Sequence, residues 1–129
     1  HALTHIYAYA DMKAKLRRPS AERIFRAFSD RTRLRILSLL RKGELCVCDL
    51  VEVLGLPQPT VSRHLAYLRR ARLVRTRREG LWMHYALEPG SDALQRRLIA
   101  CLGSCCGDLP DLKRDARRRS RLNGTACCR

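Results

Sequence analysis

The chain is predicted to be mainly α with a β-hairpin wing, a winged helix-turn-helix, and three stretches of its 129 residues predict it. In ELCVCDLVEVLG (44–55), Val47, Leu50, Val51 and Leu54 recur at i, i+3, i+4 and i+7, one face of a helix that Gly55 closes. In QPTVSRHLAYLRR (58–70), Pro59 stands where a first helical residue needs no N–H, and Val61, Leu65 and Leu68 form the hidden face. In LVRTRREGLWMHYAL (73–87), β-favouring residues flank Glu79-Gly80, a two-residue turn whose glycine accepts positive φ.

The remaining elements follow in order. Residues 1–18 are assigned as an N-terminal extension, with Met12 a candidate native start. Ser20 caps a helix to about Ser29, with Ile24, Phe25 and Phe28 apolar. Asp30 caps the next, whose Leu34, Ile36, Leu37, Leu39 and Leu40 are core and which Gly43 ends. Arg31, Arg33 and Arg35 read as its solvated or phosphate-facing edge. Beyond the hairpin, Pro89 and Gly90 break the chain and Ser91 or Asp92 starts a last helix, ended by Gly107 and Pro110. Its stripe of Leu94, Leu98, Cys101, Leu102 and Cys105 exceeds what a three-helix core needs, which points to a homodimer interface. Residues 108–129 are Arg-rich and poor in apolar side chains, hence a basic flexible tail, and the folded domain spans 19–107.

Bulk composition narrows the partners. An apolar content of 46 % supplies one modest core, and a net charge of +15 favours a polyanion. No apolar run approaches the roughly 20 residues needed to span a bilayer, and HALTHIYAYADMKAKLRRP lacks the apolar stretch of a secretion signal. The expected partner is therefore double-stranded DNA rather than a membrane, in the cytoplasm. The second helix of the pair shows Gln58, Thr60, Ser62, Arg63, His64 and Tyr67, donors and a cation suited to base edges and phosphates in a major groove. Arg75, Arg77 and Arg78 near the hairpin tip are placed to touch the phosphate backbone or minor groove, or else only keep an edge strand soluble.

Seven cysteines, an odd number without a secretion signal, argue for free thiols rather than a disulfide scaffold. They cluster as Cys46 and Cys48, then Cys101, Cys105 and Cys106, then Cys127 and Cys128. Such grouping suggests a soft metal or metalloid, or a redox switch. Cys46 and Cys48 open a helix, where the dipole favours thiolate, but residues i and i+2 project about 200° apart on a regular helix. Cys105 and Cys106 lie between Gly103 and Gly107, where a helix can loosen and two neighbouring thiolates can close a small chelate ring. Cys101, one turn upstream, is the candidate third ligand; its packing on the dimer face is the alternative. Cys106 is read as exposed. The Cys105–Cys106 pair is preferred, Cys46–Cys48 second, and the tail pair third. His64 and His84 read as a phosphate contact or packed rings rather than zinc ligands.

ELCVCDL (44–50), QPTVSRHLAYLRRARLV (58–74) and the EGLWMHYAL hairpin together resemble the ArsR/SmtB family of bacterial metal-sensing repressors, in its arsenic- and antimony-responsive branch, the vicinal-cysteine, AntR-like type. The resemblance covers roughly residues 20–106. It implies a winged-helix homodimer that represses a metalloid-resistance operon. It also implies release of operator DNA when trivalent antimony or arsenic, the effector, binds cysteine thiolates, with no permanent cofactor. One position departs: the best-known arsenic sensors carry a third cysteine directly after ELCVCDL, and here that position is Val51. The same fold could instead use a vicinal disulfide as a redox switch. An enzyme of thiol-based arsenate-reductase type is not expected, because no Arg follows Cys46, Cys48, Cys101, Cys105 or Cys106 within six residues to clamp an oxyanion.

Overall fold

The computed structural model describes residues 20–90 and 92–122. Residues 1–18, assigned as an extension, and the pair Cys127–Cys128 lie outside the described residues. Six helices and three short strands follow in the order α1 (Ala21–Phe28), α2 (Arg31–Leu40), β1 (Leu45–Cys46), α3 (Val47–Leu54), α4 (Gln58–Arg70), β2 (Val74–Glu79), β3 (Trp82–Leu87), α5 (Ala93–Ser104) and α6 (Pro110–Ser120).

The caps are those the sequence announces. Ser20 Oγ accepts from the Arg23 amide at 3.2 Å, Asp30 Oδ1 from Arg33 at 3.0 Å, and Asp92 Oδ1 from Leu94 at 2.8 Å. Gly55 ends α3 in the left-handed region, φ 65°, where a Cβ would be strained. Leu37, Leu40, Leu50, Leu54, Val61, Leu65 and Leu68 then meet in one core, so α2, α3 and α4 pack as the helix-turn-helix and its support.

The wing is a two-stranded hairpin with one correction of register. Glu79 pairs with Trp82, so the turn is Gly80-Leu81 rather than Glu79-Gly80. Gly80 still takes the positive φ, at 60°. A third strand, β1, joins β3 antiparallel, with Leu45 opposite Tyr85 and Cys46 opposite His84, which anchors the wing to the start of α3.

The expected flexible tail is corrected most clearly. Residues 110–120 form a helix, α6, that packs on α2 and α3. Pro110 opens it, and Leu112 and Asp115 are buried. Arg35, expected on a solvated edge, lies 7 % exposed and donates from Nε and Nη2 to the two Asp115 oxygens at 2.7 and 2.9 Å. Its Nη2 also donates to the Leu54 carbonyl at 3.0 Å. Arg118 donates to the Val53 carbonyl at 3.1 Å, and Arg119 to the carbonyls of Leu39 and Gly43. Val53 and Leu54 are the last residues of α3, and Leu39 and Gly43 lie at and just past the end of α2, so arginines reach the C-terminal ends of both helices. The folded unit therefore extends past residue 107.

Candidate DNA interface and thiol site

On α4, Val61, Leu65 and Leu68 are buried and fix the opposite face outward. Gln58 and Arg63 are exposed, Thr60, Ser62, His64 and Tyr67 half-buried, and Arg69 and Arg70 exposed at the end of the helix. Two of these side chains already have partners. The Arg33 guanidinium stacks over the Tyr67 ring at 4.1 Å while donating to the Ala27 and Arg26 carbonyls. His64 Nδ1 lies 3.7 Å from Asp30 Oδ1. Arg33 is thus a brace behind the reading helix rather than a solvated edge.

The wing arginines divide. Arg75 and Arg78 are exposed. Arg77 instead holds Glu44 through Nε at 2.9 Å and Glu79 through Nη1 at 3.0 Å. The guanidinium keeps the Glu44 carboxylate below the usual range, and the two carboxylates push Arg77 further up. His84, buried between the same acids at 3.6 Å from each, completes the cluster. The sequence reading missed this neutraliser because Glu44 and Arg77 are 33 residues apart. It also missed a cleft between the start of α1 and the end of α4, lined by Arg23, Arg26, Tyr67 and Arg70. The spacing of Arg23 and Arg26, three apart on α1, was the available signal.

Among the cysteines, burial reverses part of the sequence reading. Cys46 is 0 % exposed in the core, where its Sγ accepts from the Asp49 amide at 3.4 Å as the cap of α3. Burial pushes this thiol up, against the expected lowering by the helix dipole. The expectation of free thiols is corrected at Cys48, which is disulfide-bonded, whereas Cys101, Cys105 and Cys106 are free. The pair at the start of α3 is therefore not an open dithiol.

The α5 end is different. The helix stops at Ser104, so Cys105 and Cys106 sit in the turn that leads to α6. Cys105 is exposed, and Cys106, expected to be exposed, packs partly against the core. Both amides donate to the Cys101 carbonyl, at 2.8 and 3.1 Å, which folds the turn back over Cys101. Ser104 Oγ lies 3.6 Å from Cys105 Sγ. Hydrogen bonds from Ser104 and then Cys101 hold Cys105 below an ordinary thiol, and the same contact raises Cys101. Of the two, Cys105 is the one that loses its proton more readily. Among the described residues no group of three or more His, Cys, Asp or Glu stands ready to hold a metal ion. The expected dimer stripe is also split: Leu102 belongs to the core, whereas Leu94, Leu98 and Cys101 are only half-buried.

Residues 30–76 match the model of the arsR family of bacterial regulatory proteins. The arsenical resistance operon repressor of Escherichia coli is 47 % identical over 77 residues, 59 % of this chain and 66 % of that protein. The antimony-specific transcriptional repressor AntR superposes with a TM-score of 0.53 at 36 % identity, over 64 % of this chain and 72 % of that one. This chain belongs to the ArsR family. The architecture is shared with the homodimeric winged helix-turn-helix DNA-binding domain of Mb0332 from Mycobacterium bovis, described as a possible ArsR-family transcriptional regulator. That comparison gives a TM-score of 0.60 and 31 % identity, over 74 % of this chain and 85 % of that one. The chain spans about half to two thirds of the length of the first curated relatives it matches. ArsR-family proteins regulate transcription, and the enzyme class falls with that membership. Among the described residues no helix is long and apolar enough to cross a membrane.

Proposed function

We propose that this ArsR-family chain is a cytoplasmic, homodimeric repressor that releases operator DNA when trivalent antimony or arsenic binds thiolates at the α5–α6 turn. The observation that carries the reading is the thiol pair there: exposed Cys105, biased toward thiolate, faces Cys101 across one helical turn. Soft sulfur donors suit a trivalent metalloid. Cys101 and Cys105 fit as two donors, and Cys106 becomes the third when the turn loosens. The names of the arsenical and antimony repressors point the same way. Cys46 and Cys48 serve a structural role in this reading.

The path to DNA runs through α6. The turn carrying Cys105 and Cys106 leads into Pro110, and α6 grips the ends of α2 and α3 through Arg35–Asp115, Arg118 and Arg119. Distortion of the turn shifts that grip and so reorients α3 against α4, the pair that presents the reading helix. A coupling of about 1–3 kcal/mol lowers operator affinity 5- to 150-fold. Gln58, Thr60, Ser62, Arg63, His64 and Tyr67 on α4 read the major groove, with Arg75 and Arg78 on the wing. Arg77 steers the wing through Glu44.

The Cys101–Cys105 contact also favours a second reading, an oxidative switch in which peroxide converts two thiols to one disulfide and two waters. Fluorescence anisotropy of the reduced protein on promoter duplex separates the two. Antimonite or arsenite releases DNA under reducing conditions on the first reading; on the second only peroxide does, and the thiol reductant reverses it.

A further inference from the structure

A cavity of about 550 Å³ opens between the end of α2, the end of α5 and α6. Its wall carries Arg41, Lys42, Lys113, Arg117 and Arg119, and its floor Leu39, Leu102 and Leu112, with no carboxylate among the lining side chains. Elsewhere four acids are paired with other cations: Asp115 with Arg35, Asp111 with Arg31 and Arg114, and Glu44 and Glu79 with Arg77. Here only Lys113 has an acid, Asp108, 3.6 Å away and 99 % exposed, where solvent screens it. Among the described residues, Arg41, Lys42 and Arg117 form no ion pair.

Two features make this more than a basic surface. Arg119 is held in place by the Leu39 and Gly43 carbonyls, and burial lowers its affinity for its proton, with the Asp49 charge acting the other way. Arg41 lies across Gly103, where a Cβ would stand 2.0 Å from its Nη2. Glycine is a poor helix former, and α5 accepts it at the one place where it lets a guanidinium lie against the helix backbone at the rim of the cavity. The volume falls in the range of small-molecule sites, and cations above an apolar floor match a ligand with charged ends and a short carbon body.

We infer that this cavity binds a small organic anion carrying two or more negative charges, such as a di- or tricarboxylate or a phosphate ester, between Arg41, Arg117 and Arg119. The site lies behind the α5–α6 turn and is separate from the DNA-reading face of α4. The inference stands without the metalloid reading, because its test contains no metalloid. Isothermal titration of the reduced protein with citrate and with glycerol 3-phosphate, at fixed ionic strength, is expected to show saturable binding, while acetate shows none. Arg41→Ala/Arg117→Ala, at two exposed positions, weakens it at least tenfold. Gly103→Ala, which displaces the Arg41 guanidinium, weakens it severalfold, and operator affinity of both variants stays within twofold of the parent. Absence of saturable binding to the parent protein overturns the inference. So does undiminished binding in the double variant. A loss of operator affinity in the double variant would instead make these cations a DNA-backbone contact and overturn it as well.

Discussion

Two thiols one turn apart differ in this protein because a proton shared between them has to lie closer to one. Ser104 and Cys101 both stabilise a negative Cys105, so Cys105 reacts first and Cys101 keeps its proton longer. Alkylation by iodoacetamide, followed by mass spectrometry across pH, is expected to modify Cys105 at lower pH than Cys101, with Cys46 last because it is both raised and buried. Replacing Ser104 by Ala moves the Cys105 profile up; an unmoved profile would contradict the assignment. The cysteine groups were legible from spacing alone, but their exposure was not. A helical-wheel argument assumed the helix ran through Cys106, and α5 stops at Ser104. Cys105 still bonds the Cys101 carbonyl four residues back, and the turn after it tucks Cys106 partly against the core and leaves Cys105 exposed.

The wing shows the same limit at a single charge. Glu44 and Arg77 are distant in sequence, and nothing local announces that one neutralises the other. Glu44→Gln/Glu79→Gln removes both acids and frees the guanidinium, so operator affinity is expected to rise severalfold and the log–log salt slope to steepen by about one phosphate contact. Lower affinity in that variant would show that the pair shapes the wing for binding instead. The linkage has a definite sign. A carboxylate held below its usual range contributes stability present at neutral pH and lost as pH falls through the acidic range. The pair is exposed, so that contribution is small.

Helices α1 to α5 and both wing strands were legible because each carries a local signal: a cap, an apolar period, a terminating glycine or a change to β-favouring residues. Helix α6 carries almost none. Its buried face is Leu112 and Asp115, and its arginines meet carbonyls 65–80 residues away in the chain. An Arg-rich, apolar-poor stretch is indistinguishable from a solvated tail until those carbonyls are in place. The docking of α6 has a measurable strength. Asp115→Ala leaves Arg35 buried without its partner, and is expected to cost about 3 kcal/mol in urea unfolding. A loss below about 1 kcal/mol would mean that α6 is peripheral. The same variant also weakens metalloid-induced release, since the grip that carries the signal is gone.

At the scale of the whole molecule, a charge of +15 and two exposed basic elements, α4 and the wing, make DNA binding strongly salt-dependent. Arg75→Ala and Arg78→Ala are each expected to reduce the salt slope by about one and to weaken binding evenly across sequences. A homodimer brings two reading helices to successive major grooves, about 34 Å apart on one face of the duplex. The half-buried Leu94, Leu98 and Cys101 and the exposed Phe25, 53 % accessible on α1, are the side chains available to cover in that dimer. Sedimentation equilibrium of the reduced protein is expected to give twice the chain mass, and Phe25→Glu to shift it toward monomer.

In the proposed function the α5–α6 turn, and not the start of α3, senses the metalloid. Anisotropy of reduced protein on its promoter duplex, titrated with antimonite and arsenite, tests it most directly when run beside Cys105→Ser/Cys106→Ser and Cys46→Ser/Cys48→Ser. The account predicts that the parent and the second variant release DNA and the first does not. Release by the first variant, with retention by the second, would contradict it and place the sensor at the start of α3.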